Sequence, residues 1–362
     1  MALSKVNPNF VNVSQYGRRN IIINGAMQVA QRGTSNTTDG GYCVDRFKNQ
    51  LGGGARTFEQ ETLSSSTDAT VWNLGFRNAV KITNTTAGST STTDYTELNY
   101  WIEAQDIANS GWNYLDENSY LTLSFWVKSS VAADYLLWAR CEDNTALKIT
   151  QSFTVSSANT WEKIILKIKG NSGLIFNNDS GAGLRLGVFV YEGTNYTDGS
   201  PENTWQNGTP NSPSSTWSTT TNATFHVTGV QLEVGDTATP FEHRSFAEEL
   251  QLCKRYYQRY GGDDTFEHLP FYVMGNSTVA NFNWGLPVEM RTVPSLSTAG
   301  TWSIQGPFGG SVYTVGGFAL ANTSAKTIRG DVTSLSGSIG TNVARIFALN
   351  NTAVRFNLSA EF

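Results

Sequence analysis

A period of two runs through most of this chain and restricts it to sheet. In LTLSFWVK, residues 121–128, Leu121, Leu123, Phe125 and Val127 share one side, with Thr122, Ser124, Trp126 and Lys128 on the other. In WEKIILKIKG, Ile164, Leu166 and Ile168 alternate with Lys163, Ile165, Lys167 and Lys169. LRLGVFVYE places Leu184, Leu186, Val188 and Val190 opposite Arg185, Phe189 and Tyr191, and in TFHVTGVQLEVG Val230, Leu232 and Val234 alternate with Gln231 and Glu233. Such strands set one face on a core and leave the other wetter, as antiparallel sheets do. Clusters such as NNDSGAG and GNSG supply the turns between them. The pattern predicts an all-β chain whose residues 21–245 form a jelly-roll β-sandwich.

Composition supports that class and excludes others. Charged residues make up 15% of the 362 positions, against roughly 25% in an average soluble chain. Polarity comes instead from Ser, Thr, Asn and 34 glycines, a mixture suited to short strands and many turns. The length allows about two domains. A formal net charge of -5 argues against a nucleic-acid partner, because phosphate binding needs clustered Lys and Arg. The longest basic runs, GRR at 17–19 and CKRYYQR at 253–259, are short. No apolar run approaches the roughly 18 residues that cross a bilayer, so no membrane insertion is expected. Cys43, Cys141 and Cys253 stand far apart, which gives neither a disulfide framework nor a zinc motif and fits folding in a reducing cytoplasm.

One segment breaks the period. Ser245 and Glu248 have capping-box spacing, and Phe246, Leu250, Cys253, Tyr257 and Tyr260 then recur at helical steps, widened by Leu252 and Tyr256. Glu248 and Glu249 near the start and Lys254, Arg255 and Arg259 near the end complement the helix dipole, and Gly261 and Gly262 suit a terminus. A connecting helix over 246–262 is predicted. A lone helix of about fifteen residues is marginal in water, so its apolar stripe must be covered. It either lies on the sandwich as a linker or meets copies of itself, with Phe246, Leu250, Cys253, Tyr256, Tyr257 and Tyr260 as interface candidates. β-patterning then resumes, closing on Val354, Phe356 and Leu358, and residues 263–362 are expected to form a smaller β-domain. Residues 1–20 are polar, without period, and read as an arm.

No enzyme is legible. His226, His243 and His268 lack zinc-site spacing, and neither a G-x-S-x-G elbow nor a phosphate loop occurs. Acid pairs exist, Asp116–Glu117 and Asp263–Asp264, but adjacent acids in turns are ordinarily solvated rather than glycosidic. No catalytic residue, metal ligand or cofactor is assigned. Binding is the chemistry that remains. Residues 194–222 form a long irregular insertion with Tyr196, Trp205 and Trp217 as its large aromatics. Such rings offer a flat apolar face to a sugar, and Asp198, Glu202, Asn203, Gln206 and Asn207 offer hydrogen bonds to its hydroxyls. Alternatively Trp205 and Trp217 fold inward and anchor a loop that has little else to order it. Trp101, Trp112 and Trp126 are further exposed-face candidates, read first as packing or interface.

NIIINGAMQVAQRGTS from Asn20, then YCVDRF, LSFWVKSS, FHVTGVQLEVGDTATPFEHRS, ELQLCKRYYQR, VEMRTVPSL and the terminal LSAEF together resemble tail-fibre proteins of tailed phages and prophages. The resemblance spans nearly the whole chain from Asn20. It implies a domain similar to carbohydrate-binding jelly rolls, a distal β-domain, a place on the virion tail, binding to a host surface polysaccharide, partner virion proteins and homotrimeric assembly. It implies no catalytic residues. The short arm before Asn20 departs from the long attachment modules of many fibres, so attachment rests on residues 1–19 or on the jelly roll. A head-fibre, decoration or connector role is the alternative expectation, and capsule depolymerisation a minor one.

Overall fold

The computed structural model describes residues 18–86, 92–145, 147–210, 216–262, 268–275, 280–305, 312–321, 323–337, 345–348 and 353–362. Most of the arm (residues 1–17), Asp263 and Asp264 lie outside the described residues. The chain divides into two units, Met1–Glu249 and Leu250–Phe362.

The first unit is the jelly-roll sandwich. Its strands are β1 (Ser35–Asn36), β2 (Tyr42–Val44), β3 (Phe47–Gly52), β4 (Arg56–Thr62), β5 (Asn78–Asn84) and β6 (Tyr95–Glu103), followed by β7 (Tyr120–Ser129), β8 (Ala133–Cys141), β9 (Lys148–Val155), β10 (Glu162–Lys169), β11 (Ala182–Glu192) and β12 (Thr224–Val234). One sheet runs β1-β4-β5-β12-β7-β10 and the other β2-β3-β6-β11-β8-β9. The period of two decides which residues fill the space between them. Leu121, Leu123, Phe125 and Val127 of β7 are all buried, as are Leu98, Tyr100 and Ile102 of β6 and Leu184, Leu186 and Val190 of β11. The predicted alternation in β11 fails at one place. A register shift between Phe189 and Tyr191 moves Tyr191 opposite Thr96 and brings Glu192 opposite Tyr95. A bulge of this kind reverses side-chain parity, so Glu192 rather than Tyr191 shares a face with Arg185 and Phe189. Short helices α1 (Ala69–Trp72), α2 (Ala104–Ala108) and α3 (Thr216–Thr219) carry no signal in the sequence.

Buried polar side chains tie the start of this unit to its end. Asn20 Oδ1 accepts from the backbone N–H of Ile22 (3.0 Å) and of Leu232 (3.1 Å), while its Nδ2 donates to Val230 O. Asn24, fully buried at φ 63°, donates from Nδ2 to the carbonyls of Val29 and Asp45. Its backbone N–H donates to Glu249 Oε2 at 2.7 Å. Arg244 donates to Ile22 O and to Glu249 Oε1. The NIIING, VDRF and EHRS segments are therefore one structural clamp. Each carboxylate or amide in it satisfies backbone groups that burial would otherwise leave unpaired.

The helix α4 (Phe246–Lys254) begins as predicted, with the Glu248 N–H donating to Ser245 Oγ at 3.3 Å. It ends six residues before Tyr260. Tyr257–Tyr260 is a strand, β13, paired antiparallel with β21 (Arg355–Ser359). The helical spacing of these tyrosines is real, but aromatic residues also favour strands, and a ladder partner a hundred residues away decides between the two. Gly261 and Gly262, at φ 79° and 89°, thus end a strand and not a helix.

The second unit is all-β, as expected. β16 (Ser295–Ala299) completes a three-stranded sheet, β13-β21-β16. A closed barrel follows the order β14-β15-β19-β18-β17-β20, formed by β14 (His268–Gly275), β15 (Ala280–Gly285), β17 (Trp302–Gln305), β18 (Tyr313–Leu320), β19 (Thr327–Leu335) and β20 (Arg345–Ala348). Closure removes the free edges that invite aggregation. Val354, Phe356 and Leu358 are fully buried, as their alternation predicts, beside Phe282, Trp302 and Phe347. Arg291 donates to the carbonyls of Ala360 (2.7 Å) and Glu361 (2.9 Å), and its guanidinium lies 3.9 Å from the Phe362 ring centroid. That contact joins VEMR to the terminal LSAEF.

Candidate functional site

The residues singled out in the 194–222 insertion are mostly construction material. Trp217 is fully buried, with Arg56 at 5.6 Å from its ring centroid, and Asn84 Nδ2 donates to the carbonyls of Trp217, Ser218 and Thr220. Trp205 is 6% exposed and donates from Nε1 to Lys169 O at 2.7 Å. Neither can present a ring to a ligand, so both are anchors and not platforms. Asp198 accepts from the N–H groups of Ser200 and Thr209, and the hydrogen bonds from Ser200 hold its carboxyl below the usual range. Glu202 accepts from Ser152 N and Oγ. Asn203, at φ 59°, donates its N–H to Thr150 O and accepts from Gln151 Nε2. Gln206 exchanges two backbone hydrogen bonds with Lys148. β9 is the last strand of its sheet, and this strap covers an edge that would otherwise expose unpaired backbone. Of the three aromatics only Tyr196 is open, 42% exposed and edge-on to Tyr95.

The helix-stripe candidates also need correction. Cys253, Tyr256 and Tyr257 are buried within the single chain, and Tyr257 donates its hydroxyl to Asn357. Tyr260 is half-buried against Trp284. These side chains are already covered and leave no spare ribbon for a partner. Phe246, at 55% exposure, is the open residue of the set, with Leu250 half-buried.

The outer face of the β2-β3-β6-β11-β8-β9 sheet is different. Register lays out three rows across it. Gln50, Glu97, Phe189, Leu136 and Ser152 form the first; Lys48, Asn99, Gly187, Trp138 and Thr150 the second; Trp101, Arg185, Arg140 and Lys148 the third. Aromatic rings and one guanidinium stack along it. Arg185 lies 4.4 Å from the Trp101 centroid and 4.6 Å from that of Trp138, and Trp138 stacks on Phe189 at 5.8 Å and 24°. Leu136, Trp138 and Phe189 form a hydrophobic cluster separate from the main core. Lys48 sits 5.3 Å over Trp101.

Polar groups surround this ladder. Asn99 Nδ2 donates to Gln50 Oε1 (2.6 Å) and Glu97 Oε2 (2.8 Å), and Arg185 donates to Gln50 Oε1 and lies 3.8 Å from Glu97. At the centre, Gly187 leaves a gap that its neighbours fill. A Cβ there would stand 2.3 Å from Trp138 Nε1 and 2.7 Å from Asn99 Oδ1. Those two atoms, with Arg185 Nε, Arg140 Nε, Glu142 Oε1 and Glu192 Oε2, are buried without a hydrogen-bond partner. Native structures hold few such groups, and each requires a reason. Burial pushes the Glu192 carboxyl up to about 8 and raises Glu97 despite its hydrogen bond from Asn99 and its nearby Arg185. Burial also lowers Lys148 and Arg185. Perturbed groups gathered beside aromatic rings mark a functional-site candidate.

The sequence reads Trp101 first as packing or interface and does not mark Trp138, Asn99 or Arg185 as site residues. Their outward parity is readable in ELNYWIE, LRLGVFV and LLWARC, but which strands adjoin is not. Among the described residues, no three His, Cys, Asp or Glu gather to hold a metal ion, and no helix is long and apolar enough to cross a membrane.

No protein-family model matches the chain, and no curated protein matches it either. Solved structures do. An enzymatically active domain of bacteriophage CBA120 tailspike protein 4 aligns at 13% identity with a TM-score of 0.34, over 60% of this chain and 21% of that one. A family 11 carbohydrate-binding module from Clostridium thermocellum aligns at 13% identity and a TM-score of 0.28, over 55% of this chain and 95% of the module. A putative sugar binding protein from Bacteroides thetaiotaomicron aligns at 11% identity and a TM-score of 0.29, over 60% and 100%.

Proposed function

We propose that this chain is a non-enzymatic adhesin of a tailed-phage virion, a tail-fibre-type protein that binds a host surface glycan through the outer face of the β2-β3-β6-β11-β8-β9 sheet. The observation that carries the reading is the half-buried Trp101 ring with Arg185 and Lys48 against it, backed by the buried Trp138 and Phe189. A sugar ring has an apolar C–H face and a rim of hydroxyls that both donate and accept. Trp101, half-buried at the end of the ladder, supplies the stacking surface, and the half-buried Gln50 and Arg185 supply the polar contacts, held in place by the buried Glu97 and Asn99. The reading uses no residue as acid, base or nucleophile.

The virion setting rests on the resemblance of the NIIINGAM, FHVTGVQLEVGDTATPFEHRS and LSAEF segments to tail fibres. Homotrimeric assembly is part of the same proposal, and Phe246 rather than the tyrosines is the residue of α4 placed to serve it. One weak site per protomer would gain by repetition, since linked copies raise avidity by roughly 10²–10⁴ without new contacts. The test is competition. Purified protein should stain host cells and block adsorption of the phage that carries it, and Trp101→Ala should abolish both effects. Protein that stays on particles yet competes for nothing on the host would instead support a head-decoration or connector role, and release of reducing ends from host polysaccharide would overturn the non-enzymatic reading.

A further inference from the structure

The third row of this face holds an arrangement that a neutral sugar does not require. Register sets Arg185 opposite Arg140 and Arg140 opposite Lys148, three cations on three adjacent strands. Neighbouring strands lie about 4.8 Å apart, and like charges directly opposite one another destabilise a sheet. Lys48 over Trp101 adds a fourth cation on the same side. The chain as a whole is anionic, at -5, so this row of cations is not a reflection of composition.

The counter-charges are specific. Glu97 stands 3.8 Å from Arg185 and Glu142 3.5 Å from Arg140. Glu192 and Asp198 act on Lys148 through space, and the Lys148 ammonium donates to the neutral hydroxyl of Thr209. Burial drives Glu97 and Glu192 toward their protonated forms, Glu192 up to about 8, so at neutral pH these carboxyls offset less charge than their number suggests. The Nε atoms of Arg140 and Arg185 are buried and unpaired. Guanidinium groups bind carboxylate or phosphate through paired N–H donors, more strongly than they bind neutral acceptors. Arg140, with a side chain 32% exposed, is open for such a contact.

We infer, resting on the glycan-binding reading above, that the Arg185–Arg140–Lys148 row receives the anionic group of an acidic saccharide while Trp101 packs against the ring that bears it. The anion is a sugar carboxylate or a phosphate substituent, which share this chemistry. Carboxyls beside the row offset it in the free protein, and the ligand's anion adds to that neutralisation.

The full chain is assayed by biolayer interferometry against purified acidic capsular polysaccharides, each paired with its carboxyl-reduced or dephosphorylated form, and against neutral polysaccharides. Binding to at least one acidic polymer, weakened about tenfold or more on neutralisation of that polymer, is expected from the loss of a charge-assisted hydrogen bond. Which treatment abolishes binding identifies the anion. Arg140→Gln and Lys148→Gln should each weaken acidic-polymer binding about tenfold and flatten its salt dependence, while Arg140→Lys retains most of it, with melting curves confirming that all three variants fold. Equal binding to native and neutralised polymers, or an Arg140→Gln variant of undiminished affinity, overturns this inference and leaves glycan binding standing. Binding to no polysaccharide in the panel defeats both.

Discussion

Trp205 and Trp101 should differ in whether substitution reaches glycan binding. Trp205→Phe keeps an aromatic ring in the core but removes the Nε1–H···O bond to Lys169, 2.7 Å long. Losing one partner of a buried hydrogen bond costs about 1–3 kcal/mol, and the smaller ring forfeits part of the packing of a residue only 6% exposed. A total of about 2 kcal/mol follows. At about 2–4 °C per kcal/mol for a domain of this size, the sandwich transition should fall by about 4–8 °C. Trp101→Ala removes a half-buried ring whose contacts with Arg185 and Lys48 are worth about 0.5–1 kcal/mol each at exposed sites. Together about 1–2 kcal/mol, these move the same transition by about 2–8 °C, while glycan binding falls at least about tenfold, the loss of a stacking platform. Calorimetry must score the two units separately, because a two-unit chain need not melt as one. A Trp205→Phe protein that melts normally but no longer binds glycan would refute the assignment of Trp205 as an anchor. Trp101→Ala with full affinity would remove the proposed face from function.

Three further outcomes follow from named groups. Hydrogen bonding to His226 Nε2 at 3.0 Å is the largest influence holding the Glu61 carboxyl down to about 2. A depressed carboxylate stabilises the fold above its unfolded pKa and loses that effect as pH falls, so denaturation between pH 4.5 and 2 should show a loss of about 1–2 kcal/mol, discounted for partial exposure, that Glu61→Gln abolishes. Glu192 has the reverse sign. Its carboxyl is raised to about 8, so the folded state binds the extra proton and stability declines as pH rises from about 4.5 to 8. Glu192→Gln, which mimics the neutral acid, should stabilise the sandwich by about 1–3 kcal/mol at pH 9 and change little at pH 4, as urea midpoints would report. Gly187→Ala should leave the strand intact yet displace Trp138 and Asn99, whose atoms stand 2.3 and 2.7 Å from the new Cβ. Loss of glycan affinity with less than about 2 kcal/mol of destabilisation is the expected result, and unchanged affinity would show that the centre of this face does not touch ligand.

Much of the fold was legible because it depends on local periodicity. Leu121, Leu123, Phe125 and Val127 face the core since side chains on a strand alternate whatever the strand pairs with. The helix start at Ser245 was equally local. Its end was not, because Tyr257–Tyr260 could extend a helix or pair as a strand, and only β21 settles that. The same reasoning separates the two sets of tryptophans. Composition could point to Trp205 and Trp217 as rings in a long polar loop, but whether a ring faces water depends on the space between sheets that the loop closes.

What the sequence determined by itself was the all-β class, the core-facing residues of strands such as β7, the helix cap and the absence of familiar catalytic motifs, all properties of neighbours along the chain. What only tertiary structure decided was the site. Trp101, Arg185, Arg140 and Lys148 come from four strands lying between positions 101 and 185, and strand order places them in one row. Pairing between distant strands is set by the summed burial of whole faces, and no local spacing encodes it.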